Sequence, residues 1–495
     1  MALPWAIDEM KGVDLKDARL NHRVVEVLSR CGGHPTASIP LACEGYAEMA
    51  ATYRFFDNDK VNFDNVMQPH MEATRRRMAE QSTVILAQDT TEIDLTRPHQ
   101  QMGGAGPLDG GARRGLFLHP LHAFTPDGTP LGTVRAKVWT RDDKAPISKP
   151  REAERLRRKH TPIEEKESQR WIEMMRQSHE EAKLAPDTHF VSVADSEADI
   201  YELLVEAQTE PRHADWIVRS GYDRALDDVD QNESEHGERT DTTTRHLRKQ
   251  ALASDVLFTQ CISVRGREAK TNCEDHRRRQ PRKSRHAEVE VRAASVKLRP
   301  PWRPDRKLPP ISVNVVLVRE INPPANEPPV EWMLLTSLPI DDVEQVRQVI
   351  EYYCVRWMIE VFFRTLKSGC RVEERLFEHV DRLLPCLAIY LIVTWRTLLV
   401  CRLGREFPDI SCDAIFDPAE WQSICQVIRR EPPPAKPPSL KEMVRMVAQL
   451  GGYVNRKRKG EPGPQTVWLG LQRLHDIARC WEIFGPGAES EHRLV

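Results

Sequence analysis

The sequence predicts a mixed α/β protein built from several domains. Two short apolar runs, Val84–Ala87 and Phe190–Ala194, have the length of buried strands, and each run is followed closely by an aspartate. Apolar and polar residues alternate over Ala287–Leu298 and Ile311–Glu320, which predicts half-buried antiparallel strands. Helical periodicity marks both ends of the chain and residues 343–367. A chain of 495 residues exceeds one hydrophobic core, so three or more domains are expected.

The first part of the chain predicts helices and then strands. Residues 1–70 are expected to be helical, and Asp17 opens one amphipathic segment. Residues 71–205 contain the predicted strands Leu116–Phe124 and Gly132–Thr140, which are separated by a turn. This order places an α/β segment directly after a helical one.

The middle of the chain is rich in strands and in positive charge. Residues 206–330 include the alternating segments described above and a basic stretch, Val264–Lys307, with 15 Lys or Arg and 6 Asp or Glu. The charge peaks at Arg277–Arg285. Such a run either contacts phosphates without reading sequence or is a solvated loop. The net charge of the whole chain is −2, which by itself does not indicate binding to nucleic acid.

The last part of the chain predicts helices again. Residues 331–402 include Leu383–Cys401, which is apolar over about the thickness of a bilayer. Arg396 interrupts this stretch and no second span accompanies it, so we expect a buried core helix and no membrane association. Residues 403–495 continue with helices whose apolar positions recur every three or four residues.

Cysteine and histidine usage argues against zinc and against an oxidised fold. The 11 cysteines form no C-x-x-C pair, and no signal peptide pattern is present, so reduced thiols in a cytosolic protein are expected. His119 and His122 lie three residues apart in a strand-like run and would point to opposite faces. We interpret them as structural residues or as neighbours of bound DNA.

The stretch Tyr353–Lys367 has the most informative pattern of charges. At 100° per residue, Tyr353, Arg356, Glu360 and Lys367 fall within an arc of roughly 60° between two apolar faces. One interpretation is an i,i+4 ion pair between Arg356 and Glu360 on a core helix. The other interpretation is a functional row of charges. Burying a charged side chain costs free energy unless the charge is paired or binds a ligand.

Asp89 and Asp195 follow the two short buried strands. Taken singly, each favours a turn or an N-cap. The carboxyl end of a strand is also where open α/β sheets place their chemistry. Together with Glu360, these residues offer three carboxylates, which suit a pair of divalent metals for phosphoryl transfer, with Mg²⁺ as the fitting ion.

The same residues stand in motifs that resemble the bacterial DDE transposases of the insertion-sequence-four group, which includes the transposon-five transposase. QDTT contains Asp89, VADSEADI contains Asp195, and the row from Tyr353 to Lys367 matches the hallmark spacing Y-x2-R-x3-E-x6-K. Supporting segments follow in order almost from end to end: YRFFDN, WIVRS, INPP, EWMLLTS, LGGYVNRKR and WLGLQRL.

The resemblance implies an RNase H-like mixed-sheet catalytic domain with a β-rich insertion, flanked by α-helical N- and C-terminal domains. Residues 71–205 and 331–402 would form the two parts of the catalytic core, and residues 206–330 the insertion. Residues 1–70 would bind DNA, and residues 403–495 would form a dimerisation region.

The resemblance also implies roles for particular side chains. Two Mg²⁺ ions per active site, with Mn²⁺ as an alternative, would be held by Asp89, Asp195 and Glu360. Contacts to transposon-end DNA are implied for Tyr353, Arg356, Lys367, Arg219 and Trp332. Trp332 would stack on a flipped base, although an indole on a strand is more often a packing residue.

The implied function is cut-and-paste DNA transposition in the bacterial cytoplasm, at the nucleoid. A homodimer would bind the inverted-repeat ends, cleave both strands through a hairpin, and join the 3′-hydroxyls to target DNA. Two alternatives remain open: a metal nuclease of the same fold without strand transfer, and an inactive DNA-binding copy that acts as an inhibitor. A glycosidase with paired carboxylates does not account for the cations beside Glu360.

Overall fold

The computed structural model describes residues 2–43, 45–109, 112–143, 160–227, 245–264, 283–325, 327, 329–454 and 461–486. The chain forms two compact units, each built from separate chain segments. The terminal unit comprises Met1–Glu80, Thr90–Asp143 and Trp357–Val495, and the central unit comprises Gln81–Asp89 and Lys144–Arg356. The mixed α/β class is confirmed. The boundaries of the five predicted segments stay predictions.

The first five described strands follow one another, the next ones alternate with helices, and the last four again follow one another. In chain order they are β1 Thr83–Gln88, β2 Thr91–Asp94, β3 Gly106–Pro107, β4 Arg114–Phe124, β5 Pro130–Trp139, β6 His189–Ala194, β7 Asp215–Arg219, β8 Val256–Val264, β9 Arg285–Leu298, β10 Ile311–Glu320 and β11 Glu331–Thr336.

The described α-helices cluster at the two ends of the chain. In chain order they are α1 Pro4–Glu9, α2 Ala18–Gly33, α3 Ile39–Ala42, α4 Tyr46–Phe56, α5 Phe63–Ala79, α6 Gln169–Leu184, α7 Tyr201–Ala207, α8 Leu247–Ala253, α9 Val343–Val355, α10 Trp357–Arg364, α11 Val380–Glu406, α12 Pro418–Arg429, α13 Leu440–Leu450 and α14 Pro464–Phe484. The helical ends predicted from periodicity are confirmed.

The central unit is a sheet with helices packed on it. Its strand order is β1-β6-β7-β11-β10-β9-β8. The pairs β1–β6 and β6–β7 are parallel, and every later pair is antiparallel. Trp171, Tyr201 and Trp216 are buried in its core together with apolar residues of β10 and β11. The β-rich insertion between Asp195 and Glu360 is therefore confirmed. Residues 277–282, most of the peak of the basic run, lie outside the described residues.

The terminal unit joins an antiparallel sheet to the helical ends of the chain. Strand β4 pairs with β2, β3 and β5. The long helix α11 contacts α2, α5, β5, α13 and α14. It is the one helix among the described residues that is long and apolar enough to cross a membrane, and 83% of its most apolar window is buried. It is therefore a core helix, as expected.

The C-terminal amphipathic stripe packs within its own unit. Val467, Trp468, Leu474 and Ala478 of α14 are buried, and α14 contacts α12 and α13. Asp17 accepts a hydrogen bond from the Arg19 amide and caps α2, as predicted.

The predicted helix from Tyr353 to Lys367 is correct as far as Arg364 and wrong beyond it. Helix α9 ends at Val355, and Arg356 keeps helical dihedral angles (φ −49°, ψ −34°) before α10 begins. Residues Thr365–Gly369 then form a π-helix that contains Lys367. One extra residue per turn changes the direction of each later side chain, so the calculated arc does not apply to Lys367.

Candidate active site

Asp89 and Asp195 lie side by side at the ends of two neighbouring parallel strands. The ladder between β1 and β6 pairs Thr83 with His189 and ends with Ala87 opposite Val193. Both aspartates stand two residues beyond that last pair. Neighbouring strands run about 4.8 Å apart, so the same register continued by two residues makes Asp89 and Asp195 neighbours along the two chains.

Asp195 also acts as the N-cap of a short 3₁₀ helix, Ser196–Ala198. Its Oδ1 accepts a hydrogen bond of 2.8 Å from the Glu197 amide. Within the described residues this is its only hydrogen bond, so most of the acceptor capacity of the carboxylate remains unused. Both roles that the sequence suggested for Asp195, a cap and a strand-end carboxylate, are therefore present in one residue.

Arg356 forms an ion pair with Asp89. Its Nη1 lies 3.1 Å from Asp89 Oδ2, and the two side chains are 10% and 16% exposed. The sequence had suggested a pair with Glu360, four residues further on, and that pair stays a prediction. Because Asp89 and Arg356 are 267 residues apart in sequence, helical spacing alone gave no sign of this contact.

Tyr353 lies beside this ion pair and is buried. Its ring is 5.9 Å from the Arg356 guanidinium and 6.0 Å from the Trp332 ring. Burial raises the pKa of Tyr353, while the nearby cations of Arg219 and Arg356 act in the opposite direction. The Arg219 guanidinium donates to Ser196 Oγ at 3.2 Å. The central unit thus gathers a polar cluster around Tyr353.

Trp332 occupies a position on β11 opposite Val318 of β10. It is half-buried and packs against Tyr353. Packing is therefore one role of this indole, as the sequence allowed. Stacking on a flipped base stays a prediction.

The terminal unit holds Glu360 on α10. Ile359, Phe362 and Phe363 form the buried side of this helix, which confirms the second apolar face that periodicity predicted. The Phe362 ring lies 4.6 Å from the His122 ring of β4. Glu360 itself is half-buried. The convergence of Glu360 with the two aspartates stays a prediction.

Lys367 has a carboxylate partner that the sequence reasoning missed. Its Nζ lies 3.7 Å from Glu373 Oε1. The same oxygen accepts a hydrogen bond of 3.0 Å from the Asp94 amide of β2. Glu373 follows Lys367 by six residues, beyond any helical pairing distance, so no spacing rule would have selected it.

His119 and His122 are structural. Both are fully buried. His119 Nδ1 lies 2.8 Å from Thr90 Oγ1, and His122 Nδ1 lies 3.0 Å from Thr133 Oγ1. Burial lowers the pKa of His122 well below its usual value, so this ring is neutral near pH 7.

The carboxylates fit a divalent ion by donor chemistry. Mg²⁺ prefers oxygen ligands and needs few of them from the protein, and Asp89 and Asp195 offer two adjacent carboxyl groups. In the described part of the chain, no group of three or more His, Cys, Asp or Glu side chains has the arrangement of a metal site. The number of ions and their identity stay predictions.

Comparison with known families gives three matches in chain order. Residues 2–61 match the family described as Transposase DNA-binding. Residues 128–384, more than half of the chain, match the Transposase DDE domain, and residues 392–482 match the Transposase Tn5 dimerisation domain. The DDE match includes Asp195 and Glu360 and begins after Asp89.

One solved structure with similarity to the chain is a cryo-EM structure of a piggyBac transposase synaptic complex with hairpin DNA. The TM-score is 0.30 with 9% sequence identity, over 88% of this chain and 61% of that chain. This similarity is too weak to support a conclusion, and the chain spans about three fifths of the length of that protein. The DDE match and the mixed sheet with its β-rich insertion confirm the predicted RNase H-like class. With its three matching regions in order, the chain belongs to the DDE transposase family and is a Tn5-like member of it.

Proposed function

We propose that this chain is a cut-and-paste DNA transposase that binds transposon ends and uses one carboxylate site for both cleavage and joining. The observation that supports this most directly is the pair Asp89 and Asp195 at the ends of two adjacent parallel strands. In a member of the DDE family, the first two acidic residues of the site are expected at strand ends of this kind.

Asp89, Asp195 and Glu360 would hold the divalent ions. Bound Mg²⁺, with Mn²⁺ as an alternative, would supply charge stabilisation and a more acidic bound water; we expect two ions per site. Of the two aspartates, Asp195 has the more open carboxylate, because among the described residues only its Oδ1 is engaged. Asp89 is held by Arg356, which fixes the direction of its carboxyl group.

Arg356, Lys367 and Arg219 would bind the phosphates of the DNA end, and the hydroxyl of Tyr353 would add a polar contact. Arg356 brings a positive charge to within 3.1 Å of Asp89, close to where a phosphate would lie if it were held by divalent ions on the carboxylates. Charge-assisted contacts of this kind stabilise the charge that develops on a phosphate during attack.

The reaction would consist of four in-line substitutions at phosphorus. Water attacks the phosphodiester at the transposon end, a new P–O bond forms, and the 3′-oxygen leaves as a hydroxyl. That 3′-hydroxyl attacks the opposite strand and forms a hairpin, and water reopens it. The same 3′-hydroxyl then attacks target DNA. Each step exchanges one P–O bond for another, so one site serves all four.

The partners would be transposon-end DNA, target DNA and a second copy of the chain. The matches to a transposase DNA-binding family and to a transposase dimerisation domain support the first and the last of these. We place the protein in the bacterial cytoplasm, at the nucleoid when it acts.

The direct test is a cleavage and joining assay with a labelled duplex that carries the inverted repeat flanking the gene. With Mg²⁺, we expect a nicked strand, a hairpin and a product joined to target plasmid, all resolved on denaturing gels. Glu360→Gln is the matched inactive control and should still shift the duplex on a native gel.

Three other outcomes would contradict parts of the proposal. Cleavage without joined products would indicate a nuclease of the same fold. Binding without cleavage would indicate an inhibitory copy. Normal nicking by Glu360→Gln would show that Glu360 is not part of the site.

A further inference from the structure

A second aspartate, Asp199, lies four residues after Asp195 and is completely buried. Its side chain is 0% exposed. Its Oδ2 accepts hydrogen bonds from the Ser220 hydroxyl (3.1 Å), the Gly221 amide (2.8 Å) and the Tyr222 amide (3.2 Å). One carboxylate oxygen thus binds three consecutive residues of the turn that follows β7.

The other oxygen of Asp199 is also fully used. Oδ1 accepts from Arg224 Nε at 2.9 Å and from Arg224 Nη2. Arg224 Nη2 donates as well to the Asp199 carbonyl oxygen at 2.8 Å. The Arg224 side chain is only 13% exposed. Every group that faces the Asp199 carboxylate is therefore a donor.

These bonds join two turns that both belong to the candidate active site. The first turn contains Asp195 and the 3₁₀ helix Ser196–Ala198, and Asp199 is the C-cap directly after this helix. The second begins directly after Arg219, the last residue of β7. The Arg219 guanidinium reaches back to Ser196 Oγ at 3.2 Å. Through these hydrogen bonds, Asp199 keeps the turn after Arg219 in contact with the turn that contains Asp195.

The two turns also pack closely at Gly221. A Cβ atom added there would lie 3.1 Å from the Ser196 carbonyl oxygen and 3.4 Å from Ser196 Cβ. A side chain at residue 221 would push against the residue that follows Asp195. The close approach and the Asp199 bonds act on the same pair of turns.

We propose that Asp199 is a positioning residue for the reaction, because it sets the place of Arg219 relative to Asp195. This inference rests on the proposed function, in which Arg219 binds a phosphate of the DNA end. Asp199 itself touches neither DNA nor the reacting atoms, since its two oxygens are saturated by the protein.

Asp199→Asn is the informative variant. The amide side chain has one acceptor and one donor group. Whichever way it turns, its NH₂ group faces donors, either the amides of Gly221 and Tyr222 or the guanidinium of Arg224. The size of the side chain is nearly unchanged, so the variant removes hydrogen bonds and leaves the volume in place.

Glu202→Gln is the matched control. Glu202, on α7, forms a similar pair with Arg303, in which Nη2 lies 3.0 Å from Oε2 and the Glu202 side chain is 9% exposed. The control loses the same kind of carboxylate–guanidinium pair three residues further along the chain. Its partner Arg303 belongs to neither the turn at Asp195 nor the turn after Arg219.

The test measures binding of a fluorescein-labelled inverted-repeat duplex at several salt concentrations, together with kcat and KM for nicking. Loss of one phosphate contact lowers the slope of log K against log salt by about 0.9. We expect this loss for Asp199→Asn and for Arg219→Ala, and the double variant should bind no more weakly than Arg219→Ala alone. Glu202→Gln should keep the slope of the unmodified protein.

Amide hydrogen exchange gives a readout that does not depend on activity. In Asp199→Asn, either the Gly221 and Tyr222 amides or the Arg224 guanidinium lose their acceptor, which loosens the link between the two turns, so these two amides should exchange roughly tenfold faster. Unchanged exchange and an unchanged salt slope in Asp199→Asn would overturn the inference.

If the unmodified protein binds the duplex but does not cleave it, the proposed function fails while the salt slopes still decide the role of Asp199. If it does not bind DNA at all, both fail.

Gly221→Ala tests the same link if Asp199→Asn does not fold. The added methyl group displaces Ser196 by a few tenths of an ångström and leaves the carboxylate intact. We expect a fall in kcat of roughly threefold to tenfold with little change in KM, because the orientation of catalytic groups is sensitive to such shifts. Unchanged kcat in a folded Gly221→Ala variant would contradict the inference.

Discussion

Two carboxylates, Glu9 of the terminal unit and Asp195 of the central unit, have opposite surroundings. In the terminal unit, Glu9 accepts from His70 Nδ1 and from both terminal nitrogens of Arg77 at 2.9 and 3.1 Å. Burial alone would raise the pKa of Glu9, but His70 and Arg77 outweigh burial and lower it to about 2. In the central unit, Asp195 is half-buried and accepts one hydrogen bond, from the Glu197 amide.

The difference separates a carboxylate that stabilises the fold from one that is available for chemistry. Around Glu9, His70 Nε2 accepts from the Thr133 amide (3.0 Å), and Arg77 donates to the Leu131 carbonyl (2.6 Å). The network therefore joins α1, α5 and β5 with all its groups satisfied. A carboxylate that must bind a ligand cannot be saturated in this way, because the ligand would have no oxygen to contact.

Asp195→Asn should have the largest effect on the reaction and a small one on the fold. Asparagine caps a helix as well as aspartate does, so the free energy of unfolding should change by less than about 1 kcal/mol. Loss of a metal-binding carboxylate should slow Mg²⁺-dependent nicking by at least about a thousandfold. Gel-based nicking rates and urea unfolding measure the two effects. A variant that nicks DNA at the normal rate would remove Asp195 from the site.

Glu9→Gln should show the reverse pattern. Breaking a buried, hydrogen-bonded charge pair costs about 3–5 kcal/mol, while nicking per folded molecule should stay within about twofold. Urea unfolding followed by circular dichroism measures the loss. Glu48→Gln is the control, because Glu48 pairs with Arg23 and Arg30 at a 36% exposed position, where such pairs contribute less than about 1 kcal/mol. Equal losses for the two variants would contradict the comparison.

Glu420 adds a third kind of carboxylate, which is half-buried with too few hydrogen-bond donors around it. It accepts from the Asp417 amide at 2.9 Å and lines a cavity of about 340 Å³ near Arg396. Burial raises its pKa from 4.5 to about 7. The folded protein therefore binds this proton more tightly than the unfolded chain does, and stability falls as the pH rises from about 4.5 to about 7.

Glu420→Gln removes that charge and keeps the acceptor that caps α12. At pH 8 we expect the variant to be more stable than the unmodified protein by about 1–3 kcal/mol, and at pH 4 we expect no gain. Thermal unfolding at the two pH values measures this difference. A gain of the same size at both would show that the charge of Glu420 is not the cause.

Glu373→Gln should have the smallest effect. The pair with Lys367 is partly exposed, with side chains 28% and 29% accessible, and exposed pairs contribute about 0.2–1 kcal/mol. We expect a rise in KM for the DNA end of about twofold to fivefold with kcat unchanged. A thousandfold loss of kcat would instead place Glu373 in the chemistry and would make it comparable to Asp195.

The sequence predicted the elements whose signals are local. The strands ending before Asp89 and Asp195 follow from short apolar runs, and the insertion strands follow from alternation. The contact between Arg356 and Asp89 was not predictable, because the two residues are remote in sequence. The π-helix at Thr365–Gly369 gives no periodicity signal of its own.

Networks that join distant segments were also missed. Glu9, His70 and Arg77 are ordinary charged or polar residues of helical segments, and only the fold brings them to β5. Asp199 stood within the segment VADSEADI, yet a single sequence shows no difference between its role and that of Asp195. The saturation of one carboxylate and the openness of the other are properties of three-dimensional surroundings.

Helix α11 has a consequence for the synthesis of the protein. A helix apolar enough for a bilayer is at risk of insertion into a membrane or of aggregation while it emerges from the ribosome. Its partners α2, α5 and β5 precede it in the chain, so they have already been made when it appears. A shortened gene product that begins after β5 would release this helix with those surfaces missing, and we expect such a fragment to be recovered from inclusion bodies.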